Sequence, residues 1–242
     1  MSGHSKWANI KHKKAKMDAQ KGKLYTKLSK MIIVAVREGG PDPNANSKLR
    51  DIIEKAREAN MPNDNIMRAI KRGSGELGSG NLEEVLYEGY GPGGAAVLLE
   101  VMTDNRNRTA GELRHIFDKY GGNLGEAGCV AWMFEKKGLI IIEKSSGIDV
   151  DGVMMLAIEA GAEDVEEQED SIEITTSTER FEAVRNFLQE KGVELSTAEI
   201  TYLPKTTLNL SAKDSEMMEK LLEALDDHDD VQNVYTNYES DE

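Results

Sequence analysis

Residues 138–205 read GLIIIEKSSGIDVDGVMMLAIEAGAEDVEEQEDSIEITTSTERFEAVRNFLQEKGVELSTAEITYLPK, and the hydrophobic period changes four times along them. Leu139 to Glu143 has the run of a buried strand. Val153, Leu156, Ala157 and Ala160 recur at helical spacing. A strand near Val165 follows, then Ile172, Ile174 and Thr176 alternate at period two. Phe181, Val184 and Leu188 return to helical spacing, and Glu199 to Leu203 closes as a strand. The order βαββαβ is that of the split βαβ, or ferredoxin-like, unit.

Working outward, Ala95 to Met102 reads as a strand, Thr109 to Tyr120 as a helix with Leu113, Ile116 and Phe117 inward, and Cys129 to Glu135 as a strand. Beyond residue 205 come a strand near Thr207 to Leu210, a helix carrying Met217, Leu221, Leu222 and Leu225, and a strand over Val231 to Tyr238. Joined across the gap, these flanks spell a second βαββαβ, so the expectation is one such domain inserted in another. On the N-terminal side Leu24, Leu28, Met31, Ile32 and Ala35 make one helical stripe, Leu49, Ile52, Ile53 and Ala56 a second, and Ile66, Ala69 and Ile70 a third. Glycine- and serine-rich residues 73 to 81 have linker composition. The expected architecture is α+β: a three-helix domain over 1–78, a ferredoxin-like α/β domain over 79–135 plus 206–242, and an inserted acidic ferredoxin-like domain over 136–205.

Charge is segregated along this chain. Residues 1–72 carry 17 Lys and Arg against 7 Asp and Glu, a balance of +10, while the remaining residues carry 13 against 37, a balance of −24. A basic head on an acidic body predicts a polyanionic partner for the head, most simply nucleic acid. The arm from Ser2 to Lys16 offers Lys6, Lys11, Lys13, Lys14 and Lys16 to phosphates, with His12 among them and the Trp7 ring able to stack on a base. Lys23, Lys27, Lys30 and Arg37 fall opposite the first apolar stripe and extend the same sign along a helix; between Lys11 and Arg37 only Asp18 is acidic. Arg68, Lys71 and Arg72 close the third helix, where they can meet phosphate or complement the helix dipole. Arg106 and Arg108, in a polar loop where a helix begins, make a second anion site, the alternative being a turn capped by Thr or Asn.

Other motifs point away from chemistry. Gly89-Tyr90-Gly91-Pro92-Gly93-Gly94 precedes a strand and is not followed by Gly-Lys-Ser/Thr, so it reads as a hinge and not as a phosphate loop. His4 and His12 lack accompanying carboxylate or thiolate ligands, and the lone Cys129 reads as a small buried hydrophobe, so neither a metal nor a cofactor is expected. The acidic run Glu163 to Glu173 lacks calcium-loop spacing. No nucleophile and base pair stands out, so no enzyme is expected. The inserted segment, with 16 acids against 5 bases over 138–205 and isoleucines on its strands, is no RNA platform. The N-terminus lacks a signal-peptide run, and no apolar stretch is long enough to span a bilayer, so a cytoplasmic protein is expected; the sequence names no oligomeric state, and a monomer is the expectation.

The opening Gly3-His4-Ser5-Lys6-Trp7-Ala8-Asn9-Ile10-Lys11-His12-Lys13-Lys14, with Gly22-Lys23 and Tyr25-Thr26-Lys27-Leu28, closely resembles the YebC/PmpR family. The likeness continues through Asn60-Met61-Pro62, Tyr87 to Gly94, Thr103 to Thr109 and Pro204. The resemblance implies a helical domain followed by two α/β domains around a cleft, and a non-enzymatic cytoplasmic regulator of gene expression. The family is described as DNA-binding transcriptional regulators, and some members look like translation factors on ribosomal RNA. A small-molecule sensor using the cleft is the third expectation.

Overall fold

The computed structural model describes residues 21–77, 82–144 and 148–239. Residues 133–207 form one compact unit, and residues 21–132 with 208–239 belong to the other.

In the larger unit, three helices come first: α1 (Lys21–Gly39), α2 (Ser47–Glu58) and α3 (Asn63–Gly73). Their apolar stripes meet as expected, burying Leu28, Ile32, Val36, Leu49, Ile52, Ile53, Ala56, Met61, Ile66 and Ala69. Asn46 ties two of them together. Its Oδ1 caps α2 by accepting from the Leu49 N–H at 3.0 Å, while its amide donates to the Ala35 and Gly40 carbonyls at 2.8 and 2.9 Å. A side chain at Gly73 would place its Cβ 2.6 Å from the Val36 Cβ, so the absence of one lets α3 lie close against α1.

The same unit continues as a four-stranded antiparallel sheet in the order β3-β1-β2-β9, from β1 (Glu83–Tyr90), β2 (Ala96–Thr103), β3 (Asn123–Leu124) and β9 (Val231–Thr236). Helices α4 (Arg106–Lys119) and α7 (Ala212–Asp226) cover one face, where Leu113, Phe117, Met218, Leu221 and Leu225 pack on Val97, Leu99, Val101 and Val231. The mixed α+β class is as expected, but the connectivity of this sheet differs from the second βαββαβ read across the flanks. Its first strand, β1, forms a hairpin with β2; of the Gly89 to Gly94 segment expected as a hinge, Gly89 and Tyr90 end β1 and Gly91 to Gly94 make the connection. The Gly91 N–H donates to the Ala95 carbonyl at 2.7 Å, and Gly93 and Gly94 take φ of 67° and 82°, a backbone that closes the turn without a Cβ clash.

The second unit starts with β4 (Phe134–Glu143), one continuous strand where two were expected; the Cys129 to Ala131 part of the expected strand is a loop leading into a 3₁₀ turn, Ala131–Met133. Around β4 lie α5 (Val150–Ala160), β5 (Asp164–Glu167), β6 (Ser171–Thr176), α6 (Phe181–Glu190) and β7 (Thr197–Pro204), with strand order β5-β6-β4-β7 and every neighbouring pair antiparallel. This is the split βαβ arrangement of the opening stretch. Ile140 sits opposite Ile174 and Ile142 opposite Ile172, and all four pack with Val153, Ala157, Phe181, Val184 and Leu188 of the two helices. The remaining strands, β8 (Leu208–Asn209) and β10 (Tyr238–Glu239), form a short parallel pair in the larger unit.

Candidate nucleic-acid interface

Of the side chains expected to meet nucleic acid, Lys6, Trp7, Lys11, His12, Lys13, Lys14 and Lys16 lie outside the described residues. The helical stripe lies within them, and its geometry differs from the free surface expected. Lys27 is 6% exposed, and its Nζ donates to the Asp226 carbonyl at 2.9 Å with the Asp226 carboxylate at 3.3 Å. One turn on, the Lys30 Nζ donates to Asp230 Oδ1 at 2.6 Å, to the Asp229 carbonyl at 2.8 Å and to the Met102 carbonyl at 3.3 Å. Lys23 reaches Asp227 at 3.2 Å. Three lysines of α1 therefore converge on the C-terminal end of α7 and the turn after it. A helix C-terminus presents carbonyls without intrahelical donors and the negative end of the macrodipole, which favours cations there. Arg37, at the far end of α1, donates to the Leu82 carbonyl at 3.0 Å.

Asp230 is the centre of this junction. It is 6% exposed and accepts from Lys30, from Arg108 at 2.9 Å and from the Thr109 hydroxyl at 2.7 Å. Burial alone would raise its pKa, but Lys30, Thr109 and Arg108 hold it well below the usual carboxylate range. His228 accepts from the Asp230 N–H on Nδ1 at 3.1 Å, and its Nε2 lies 3.0 Å from Glu112. Glu112, His228 and Asp230 bring one ligand atom each within reach of a common point. The Asp230 oxygens already face two cations, so the positive charge that a metal would supply is present in Lys30 and Arg108.

Arg106 and Arg108, expected as an anion site, are both engaged by carboxylates. Arg106 pairs with Glu83 at 2.6 Å, and Arg108 with Asp104 at 3.0 Å as well as with Asp230. The start of α4 is capped by Asn105, whose Oδ1 accepts from the Arg108 N–H at 3.0 Å. Here the capped turn describes the geometry better than an open phosphate cradle.

Cationic surface remains on α3. Arg68, Lys71 and Arg72 are exposed, stand at i, i+3 and i+4 on one helical face, and form no ion pair with any described residue. The aspartates that hold the α1 lysines escaped the sequence reading. Their signal was present, in the run Asp226-Asp227-His228-Asp229-Asp230. The pairing links positions about 200 residues apart, which no local pattern reports.

Residues 5–76 match the TACO1/YebC protein N-terminal domain, and residues 82–238 the TACO1/YebC second and third domain. A protein of Pelotomaculum thermopropionicum named "Probable transcriptional regulatory protein" is 60% identical over 240 residues, covering 99% of both chains. One with the same description from Thermoanaerobacter pseudethanolicus is 59% identical over 239 residues, covering 99% of this chain and 97% of its own. The crystal structure of a conserved hypothetical protein from Aquifex aeolicus superposes with a TM-score of 0.86 at 49% identity, covering 98% of each chain.

Proposed function

The chain belongs to the TACO1/YebC family, and from that premise we propose that it is a non-enzymatic, DNA-binding regulator of gene expression that holds its target on the cationic surfaces of its N-terminal part. The relatives' names support a regulatory role. The observation that carries nucleic-acid contact is the charge split, +10 over residues 1–72 against −24 over the rest. With the α1 lysines committed to Asp226, Asp227 and Asp230, the working surface narrows to the lysine-rich arm and to Arg68, Lys71 and Arg72 on α3.

Lysine binds phosphate as a point charge and carries little base information, so recognition rests on backbone and shape. A base-reading helix would instead present Arg, Asn or Gln to a groove edge. That lysine bias favours a second reading, a translation factor on ribosomal RNA, whose folded backbone offers the same chemistry.

The test is a binding titration against duplex DNA and ribosomal RNA at several salt concentrations. Deleting residues 1–20, or reversing Lys11, Lys13 and Lys14, abolishes binding while the fold stays intact. Reversing Arg68, Lys71 and Arg72 lowers the salt slope by about 0.9 for each phosphate that is no longer neutralised. Unchanged affinity and slope in both sets would reject the proposal, and the tighter polymer decides between the two readings.

A further inference from the structure

The sheet of the larger unit has a second face, opposite α4 and α7. On β1, Tyr87 packs toward those helices and a Cβ at Gly89 would lie 2.9 Å from the Phe117 ring, so Leu86, Glu88 and Tyr90 alternate to the other side. Glu88 is buried there and accepts from the backbone N–H groups of Gly128, Val130 and Ala131 at 2.6, 2.8 and 2.6 Å. Three charge-assisted bonds to one carboxylate fix this loop on β1.

The fixed loop orients two aromatic rings. The Cys129 carbonyl accepts both the Tyr90 hydroxyl at 2.9 Å and the Trp132 indole N–H at 3.0 Å. Each ring has its polar tip tied to that carbonyl at the surface while the ring itself stays open to solvent: Trp132 is 66% and Tyr90 37% exposed. Leu86, 42% exposed, lies four residues back along the strand, roughly 13 Å away at the usual rise. Rigid aromatic surface that needs no further ordering is what anchors a partner.

Charge selects the partner. Glu126 is exposed on the same loop and makes no ion pair with a described residue. Burial first, and then the nearby Glu88 and Glu126 carboxylates, push the Cys129 thiol up. A surface of this sign repels phosphates, and the open π face of an indole favours a cation. We propose that Trp132, Tyr90 and Leu86 form a docking surface for a basic polypeptide segment, an arginine stacking on the Trp132 ring with Glu126 beside it. The planar, weakly hydrated guanidinium suits this position better than an ammonium does.

The experiment uses the full chain with Trp7→Phe, which leaves Trp132 as the sole tryptophan. Two twelve-residue peptides, identical except that one carries four arginines and the other four lysines, are titrated by fluorescence and calorimetry beside an oligouridylate. The arginine peptide quenches Trp132 and binds about five-fold more tightly than the lysine peptide, a preference of the size of one cation–π contact at an exposed ring. Trp132→Ala removes that preference. Glu126→Lys, at an exposed position, weakens the arginine peptide and keeps the test valid if Trp132→Ala does not fold. Equal binding of both peptides, no effect of either variant, or tighter quenching by the oligouridylate overturns the proposal; the last outcome would make the surface a base-stacking site.

Discussion

Replacing Asp230 with alanine should loosen the attachment of the helices to the sheet of their unit, and the structure bounds the cost. The carboxylate is 6% exposed and accepts from Lys30, Arg108 and Thr109. Removing one partner of a buried pair costs about 3–5 kcal/mol where the other is left without compensation. Compensation here is partial: Lys30 keeps the Asp229 and Met102 carbonyls, and Arg108 keeps Asp104. An intermediate loss of about 2–4 kcal/mol is therefore expected. Asp230→Asn, which retains an acceptor oxygen, should cost roughly half as much. Urea denaturation of Asp230→Ala, Lys30→Met and the double variant measures the coupling directly, and hydrogen exchange should show α1 and α7 losing protection together. The pH dependence follows from the depressed carboxyl. A group whose folded pKa lies below its unfolded value stabilises the protein above the unfolded value, about 3.9 for Asp, and that contribution disappears as pH falls toward the folded one. A loss below about 1 kcal/mol with no coupling to Lys30 would refute the view that these charges hold the junction.

Glu88→Gln should cost about 1–3 kcal/mol and expose the 125–131 loop to proteolysis, because three backbone N–H groups lose a charged acceptor; an unchanged cleavage rate would count against it. The wild-type loop should open in acid as well. Burial alone would raise the Glu88 pKa, but the N–H donors of Gly128, Val130 and Ala131 hold it below its ordinary value, so their stabilisation is present above the unfolded value of about 4.3 and is lost below it. Asn46→Ala removes a helix cap and two donors at a buried position, and should lower stability by about 2–3 kcal/mol, read as a shift in the urea midpoint at constant m-value.

How much of this was legible in the chain depends on the range of the forces involved. The 138–205 order could be read because each of its elements buries an apolar face with its own period, 3.6 or 2. The strand β1 escaped because its side away from α4 and α7 carries Glu84, Leu86, the buried Glu88 and Tyr90 while Gly89 interrupts its helix side, so no clean alternation survives. Gly93 and Gly94 suggested mobility, yet their positive φ values serve a tight hairpin.

The α1 stripe shows the division most clearly. Its sign was plain from Lys23, Lys27, Lys30 and Arg37, and so was the acidity of Asp226 to Asp230. Composition and period, which are local properties of a chain, determined the helices, the inserted sheet and the charge split, while the motif from Gly3 to Lys14 and those after it carried the resemblance to the family. The partner that each charge meets was decided only by tertiary structure. An ammonium group neutralises whichever oxygen the fold brings within about 3 Å, and for Lys30 that oxygen belongs to a residue 200 positions away.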